Sequence, residues 1–169
     1  MSSEADGVAR LYRNYDPQLE QGQLQMVSSF RALHEIVPAR RMGSGLILDW
    51  KQSGGSLLAG GDSRTIRFWD AHTETHALVR LIVLIHPCYT LIPCPQDLET
   101  NSDAPMTSMV SDYGSASTFV AGFADGTVRV FDRRLEEEDA IVRLYDAHGS
   151  WVQNVRWHPN LGAQILTSR

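Results

Sequence analysis

Two stretches of this chain carry the same stencil, and a third carries it more faintly. Gly61-Asp62-Ser63-Arg64-Thr65-Ile66-Arg67-Phe68-Trp69-Asp70 and Gly122-Phe123-Ala124-Asp125-Gly126-Thr127-Val128-Arg129-Val130-Phe131-Asp132 align position by position from the alternating segment onward, and Asp6-Gly7-Val8-Ala9-Arg10-Leu11-Tyr12 repeats the pattern. Each copy is a turn followed by apolar residues at every second position, closing on an aromatic. That period builds a two-faced strand and not a helix. A strand unit with two apolar faces must stack on copies of itself, so the chain is expected to be an all-β array, a partial β-propeller.

The repeats divide the chain. Residues 1–15 read as the end of a truncated blade and 16–42 as an irregular connection with a possible edge strand; within it, Leu24 to Val37 fits either a strand plus a loop or a short amphipathic helix. Residues 43–78 form a blade with strands predicted at Gly45 to Trp50, Ser56 to Gly60 and Thr65 to Trp69, separated by short Gly- or Asp-containing turns. Residues 97–146 repeat it with Met106 to Ser111, Thr118 to Gly122 and Thr127 to Phe131; Asp125-Gly126 is the strong turn signal, because glycine accepts positive φ without a Cβ clash. Residues 147–169 open a further, truncated blade through Trp151-Val152-Gln153-Asn154-Val155-Arg156-Trp157-His158-Pro159 and Gln164 to Ser168. About two and a half blades of a ring are therefore expected.

Residues 79–96 do not fit. Asp70 and Asp132 are too far apart for a repeat of about 40–45 residues, and removing Val79 to Gln96 restores it. This insert carries three prolines and both cysteines, Cys88 and Cys94. Every valine codon begins with GT and one glutamine codon is CAG, so the segment has borders compatible with an in-frame translated intron; a long inter-blade loop is the alternative.

Bulk properties narrow the function. At 169 residues, 43% hydrophobic and 21% charged, the composition is that of a globular protein. A net charge of -5 argues against nucleic acid, since phosphate neutralisation needs clustered Lys and Arg. The apolar stretch Leu78 to Pro95 is broken by Arg80, His86, Pro87 and Pro93, so no transmembrane segment is expected. The N-terminus lacks the order of a secretory signal, which favours a cytoplasmic protein. Two cysteines make neither a disulfide framework nor a four-thiolate zinc site, and His72 and His76 have no third ligand nearby in sequence. No nucleophile elbow or phosphate-cradling loop is present, so the expectation is a non-catalytic protein with protein partners, no cofactor, no metal and no small-molecule substrate.

Trp69-Asp70, Ala147-His148, and His148 followed by Trp151-Val152 and Trp157-His158-Pro159 resemble WD (WD40) repeats of the seven-bladed propeller type. Asp6 to Tyr15, Gly45-Leu46-Ile47-Leu48-Asp49-Trp50, Gly61 to Asp70 and Val120 to Arg134 together resemble the C-terminal propeller of the raptor family, regulatory scaffold subunits of target-of-rapamycin (TOR) complex one, over nearly all the chain except 79–96. The family's caspase-like region and helical solenoid have no counterpart here. The resemblance implies a scaffold or adaptor in nutrient-responsive growth signalling, bound to the TOR kinase complex, cytoplasmic and peripheral to the lysosome or vacuole. The competing class is a generic WD adaptor, such as a substrate receptor of a cullin-ring ubiquitin ligase.

The resemblance also implies a repeat framework of Trp50, Asp62, Trp69, Asp70, Asp125, Gly126, Phe131, Asp132, His148, Trp151, Trp157 and Ser168. In WD repeats a histidine, a hydroxyl, an aspartate and a tryptophan form a buried hydrogen-bond chain; His148 and Ser168 fit its first two roles, and Phe131 replaces the tryptophan without its N–H donor. Asp132-Arg133-Arg134 resembles the Asp-x-Arg box used for ligase docking, with Arg133 and Arg134 either contacting a partner's carboxylates or satisfying neighbouring loop groups.

An open arc leaves blade faces and strand edges uncovered. Residues 1–169 expressed alone are therefore expected to be insoluble or poorly cooperative, and a sharp, reversible melt of a monomer, followed by circular dichroism, would contradict this.

Overall fold

The computed structural model describes residues 7–13, 25–33, 45–51, 55–70, 75–76, 80–85, 88–93, 97–114, 117–158 and 164–169. Every regular element among them is a strand. β1 (Val8–Arg13) pairs with β2 (Gln25–Arg31). Next, β3 (Leu46–Lys51), β4 (Ser56–Gly61) and β5 (Thr65–Asp70) form an antiparallel meander. The outer edge of β5 is shared by two fragments: β6 (Thr75–His76) and, beyond a separate hairpin of β7 (Arg80–Ile85) and β8 (Cys88–Pro93), β9 (Asp97–Glu99). A four-stranded sheet follows, from β10 (Met106–Ser111), β11 (Thr118–Phe123), β12 (Thr127–Asp132) and β13 (Ile141–Asp146). Finally β14 (Asn154–Trp157) pairs with β15 (Ile165–Ser168).

These antiparallel sheets are the blades of a partial β-propeller, and the reason lies in how side chains alternate. Successive residues of a strand point to opposite faces. On β4, Leu57 and Ala59 join a cluster with Ala9 and Ala32 of the preceding blade, while Leu58 joins Met106, Met109 and Phe119 of the following one. On β11, Phe119 and Ala121 turn back toward Leu58 and Phe68, and Val120 turns forward to Val152, Val155 and Trp157. The central strands β4, β11 and β12 are accordingly buried along almost their whole length. Each blade is a wall between two apolar layers.

The structure departs from the sequence reading in one feature and decides another. Each unit was expected to have three strands, whereas a fourth exists: β13 in one blade and the divided β6 and β9 in the other. β13 is exposed along most of its length, so its sequence Ile141 to Asp146 lacks the one-sided apolar period that marks an inner strand. Of the two readings of Leu24 to Val37, the strand is the one present, over Gln25–Arg31; Leu24 and 34–37 lie outside the described residues.

Two glycines stand where blades approach closely. Gly60 and Gly122 hold equivalent places on β4 and β11, both facing the following blade. A Cβ on Gly122 would sit 2.5 Å from Val152 Cγ1 and 2.9 Å from its Cβ, whereas one on Gly60 would meet the end of Met106, 3.0 Å from its sulfur. Methionine can swing aside and a β-branched valine cannot. Gly122→Ala is therefore expected to destabilise by about 2–3 kcal/mol and Gly60→Ala by under about 1 kcal/mol; the yields of soluble, protease-resistant protein check this order.

Candidate functional site

The polar residues singled out by sequence fall into a framework between blades and a set of surface positions. Arg67 and Arg129 occupy the same place on β5 and β12, and both are buried. Arg67 donates to the Arg31 carbonyl at the end of β2 (3.0 Å) and to the Asp97 carboxylate (2.9 Å). Arg129 donates to the carbonyls of Thr100 (2.7 Å) and Asn101 (2.6 Å), which follow β9, and its guanidinium lies 4.8 Å from the Phe123 ring centroid. Burial lowers the pKa of Arg129, opposed by Asp125 3.9 Å away. In both blades one arginine thus ties the third strand to the backbone leaving the preceding blade's outer strand. The repeat alignment paired these arginines without showing their acceptors, because the carbonyls lie about 30 residues away (|i−j| of 36, 29 and 28).

The turn before β12 is fixed locally. Asp125 accepts from the Thr127 N–H (2.9 Å) and hydroxyl (2.7 Å), and Gly126 has φ 89°. A Cβ there would lie 1.9 Å from the His148 carbonyl oxygen, which is why glycine holds the position. The His148 N–H in turn donates to the Gly126 carbonyl (3.1 Å). His148 Nε2 shares a 2.9 Å hydrogen bond with Thr167 Oγ1, so the hydroxyl partner is Thr167 and not Ser168. The correction follows from strand alternation: Ile165 and Thr167 are half-buried, Leu166 and Ser168 exposed. A slip of one residue moves a side chain to the opposite face.

Asp62 sits buried in the turn after β4 and clasps the residue before β3. Its N–H donates to the Gly45 carbonyl (3.0 Å), and its carboxylate accepts the Gly45 N–H (3.1 Å). The next blade keeps only the first bond, from Ala124 N–H to the Pro105 carbonyl (3.0 Å). Proline has no N–H to satisfy, so no carboxylate is needed.

Asp132 and Arg134 close on each other. Arg134 Nη2 and Nε reach the two carboxylate oxygens of Asp132 at 2.5 and 2.9 Å, holding the Asp132 pKa below, and the Arg134 pKa above, their ordinary values. Arg133 instead lies 4.6 Å from the Phe68 ring centroid, and burial lowers its pKa. The acceptor for Arg134 is thus its own Asp132, and the Arg133 guanidinium covers the seam between two blades.

The tryptophans divide. Trp69 stacks on Phe30 of the preceding blade at 4.2 Å, whereas Phe131 stacks on Phe119, its cross-strand partner within one blade, at 4.9 Å; Trp157 is buried. Asp70, at the end of β5, pairs with Ser56 and Thr75. Trp50 and Trp151 are 48% and 49% exposed. Trp50 borders two openings: an apolar cavity of about 130 Å³ with Phe30, Leu57 and Trp69, and a larger polar one of about 420 Å³ with Asp49, Lys51, Tyr113 and Arg156. The second is braced by Asp49, whose carboxylate accepts the Ser111 N–H (2.7 Å) and hydroxyl, and by Lys51 donating to the Asp112 carbonyl (2.9 Å).

Among the described residues no group of three or more His, Cys, Asp or Glu could hold a metal ion, and no helix is long and apolar enough to cross a membrane. His72 and Cys94 lie outside the described residues. What the arrangement offers is a rigid backbone of interlocked sheets carrying exposed aromatic and charged loops.

Comparison with known proteins agrees with this architecture. The WD domain, G-beta repeat family matches residues 46–70. The Target of rapamycin complex 1 subunit KOG1 of Saccharomyces cerevisiae is 35% identical over 159 residues, covering 92% of this chain and 9% of that protein. The crystal structure of Chaetomium thermophilum Raptor matches 97% of this chain and 12% of its own with a TM-score of 0.70 and 30% identity. The chain is a WD-repeat segment of the raptor family. Another relative, the Target of rapamycin complex 1 subunit mip1 of Schizosaccharomyces pombe, is 34% identical over 99% of the chain and 11% of that protein. The chain thus spans about a tenth of the length of these raptor-family relatives.

The His148 bond gives a direct test of the corrected pairing. Thr167→Val is expected to cost about 1 kcal/mol and Ser168→Ala close to nothing, read as the change in urea midpoint of a raptor-family protein carrying each substitution.

Proposed function

We propose that the chain serves as a non-catalytic scaffold in TOR complex one signalling, presenting loops and blade edges to protein partners in the control of growth by nutrients. The observation that carries this reading is similarity along nearly the whole chain to proteins named as subunits of target of rapamycin complex 1. Physical support comes from the framework: the buried arginines, the stacked aromatics and the Asp62 clasp all stiffen the sheets, while Trp50, Tyr113, Leu144 and Trp151 remain exposed. A stiff support with exposed aromatics suits binding that loses little conformational entropy. The same reading carries a cytoplasmic protein, peripheral to the lysosome or vacuole.

Affinity purification of the tagged full-length protein from its own cells is the test. Recovery of the TOR kinase is the expected result; recovery of a cullin adaptor without the kinase would replace this reading with the ubiquitin-ligase one.

A further inference from the structure

The outer strand of the second blade is cut at one point and resumes in register. On its partner β5, Asp70 and Trp69 pair with Thr75 and His76, and two residues further along Arg67, Ile66 and Thr65 pair with Asp97, Leu98 and Glu99. The following blade shows what an uncut strand looks like. Phe131, equivalent to Trp69, pairs with Ile141, and Arg129, equivalent to Arg67, pairs with Leu144; a bulge between Val130 and Phe131 leaves residues 142–143 to bridge them. In the cut blade the same step takes residues 77–96. The surplus is 18 residues, and the flanking pairs are those an intact strand would make.

What fills the surplus is foreign to the blade. β7 and β8 pair with each other from Arg80↔Pro93 to Ile85↔Cys88 and with no other described strand. A lone two-stranded hairpin is marginal in water, and the runs Leu81-Ile82-Val83-Leu84-Ile85 and Tyr89-Thr90-Leu91-Ile92 are apolar with no charge to deter edge pairing. Three windows of 18 residues would leave two bridging residues: 77–94, 78–95 and 79–96. The first opens on Ala77 and closes on Cys94, the second opens on Leu78 and closes on Pro95, and neither set of codons can begin with GT and end with AG. The third opens on Val79 and closes on Gln96, whose codons can do both, and it holds a whole number of codons.

We infer that Val79–Gln96 is the translation of an intron-like segment inside the codons of one strand, and that its removal joins Leu78 to Asp97 as one continuous outer strand. The joined form keeps the ion pair of buried Arg67 with half-exposed Asp97 (2.9 Å), since Asp97 stays opposite Arg67. Frame is preserved either way, so the choice between the two forms is made at splicing, and the longer form carries an apolar hairpin between β6 and β9.

Amplification of transcripts across codons 70–104 from the source cells, paired with mass spectrometry of the endogenous protein, tests the origin. The expected result is a product shorter by 18 codons and a peptide joining Leu78 to Asp97. Transcripts that all retain codons 79–96 would overturn it. A second measurement tests the structural half: full-length protein lacking 79–96 is expected to keep or raise its thermal midpoint and to aggregate less than the longer form. A fall in the midpoint on deletion would show that the hairpin belongs to the blade and sink the inference.

Discussion

Everything in this arc of sheets depends on the alternation of side chains along strands that are buried on both faces. A blade whose second and third strands send Phe119 and Phe131 backward and Val120, Val128 and Val130 forward has no solvent face of its own. Its stability belongs to the layers on either side, and at about 25 cal/mol per Å² of apolar surface these layers dominate the energetics. Polar ties link these layers at backbone groups that need partners: Arg67 and Arg129 on carbonyls, Asp62 on Gly45, Asp125 on Thr127. Each satisfies donors or acceptors that would cost about 1–3 kcal/mol if left unpaired.

Much of this could be read from the chain because the repeat unit couples a local signal to a periodic one. The inner strands of two blades emerged within a residue or two of their ends, since Gly- and Asp-bearing turns bracket a clean period of two. Raptor-family resemblance rested on the same residues. The outer strands did not emerge: β13 borders solvent and owes its place to hydrogen bonds with β12, which any extended sequence can make, and β6 and β9 are separated by the insert. Sequence analysis detects burial; it is nearly blind to edges.

The candidate site was legible in part. Asp62, Asp125, Gly126 and His148 were singled out as framework residues, and each makes a contact that fixes a turn or joins a turn to a strand. Ser168 was given the hydroxyl role by resemblance, and the strand places it on the exposed face, one residue from Thr167, which makes the bond. Trp50 and Trp151 entered the framework through the family resemblance, and both stand half exposed. Arg133 was given two readings, a partner's carboxylates or neighbouring loop groups, and its guanidinium lies over Phe68 of the adjoining blade. Residue type predicts chemistry better than it predicts location.

The clasp between Gly45 and Asp62, and its reduced form at Pro105 and Ala124, carries a consequence for how such repeats diverge. Donor and acceptor appear together in one copy and are missing together in the other, so the two positions behave as a single character with two permitted states. Changing either position alone takes from the Gly45 N–H its acceptor or from the Asp62 carboxylate that donor, so the two residues are best exchanged together.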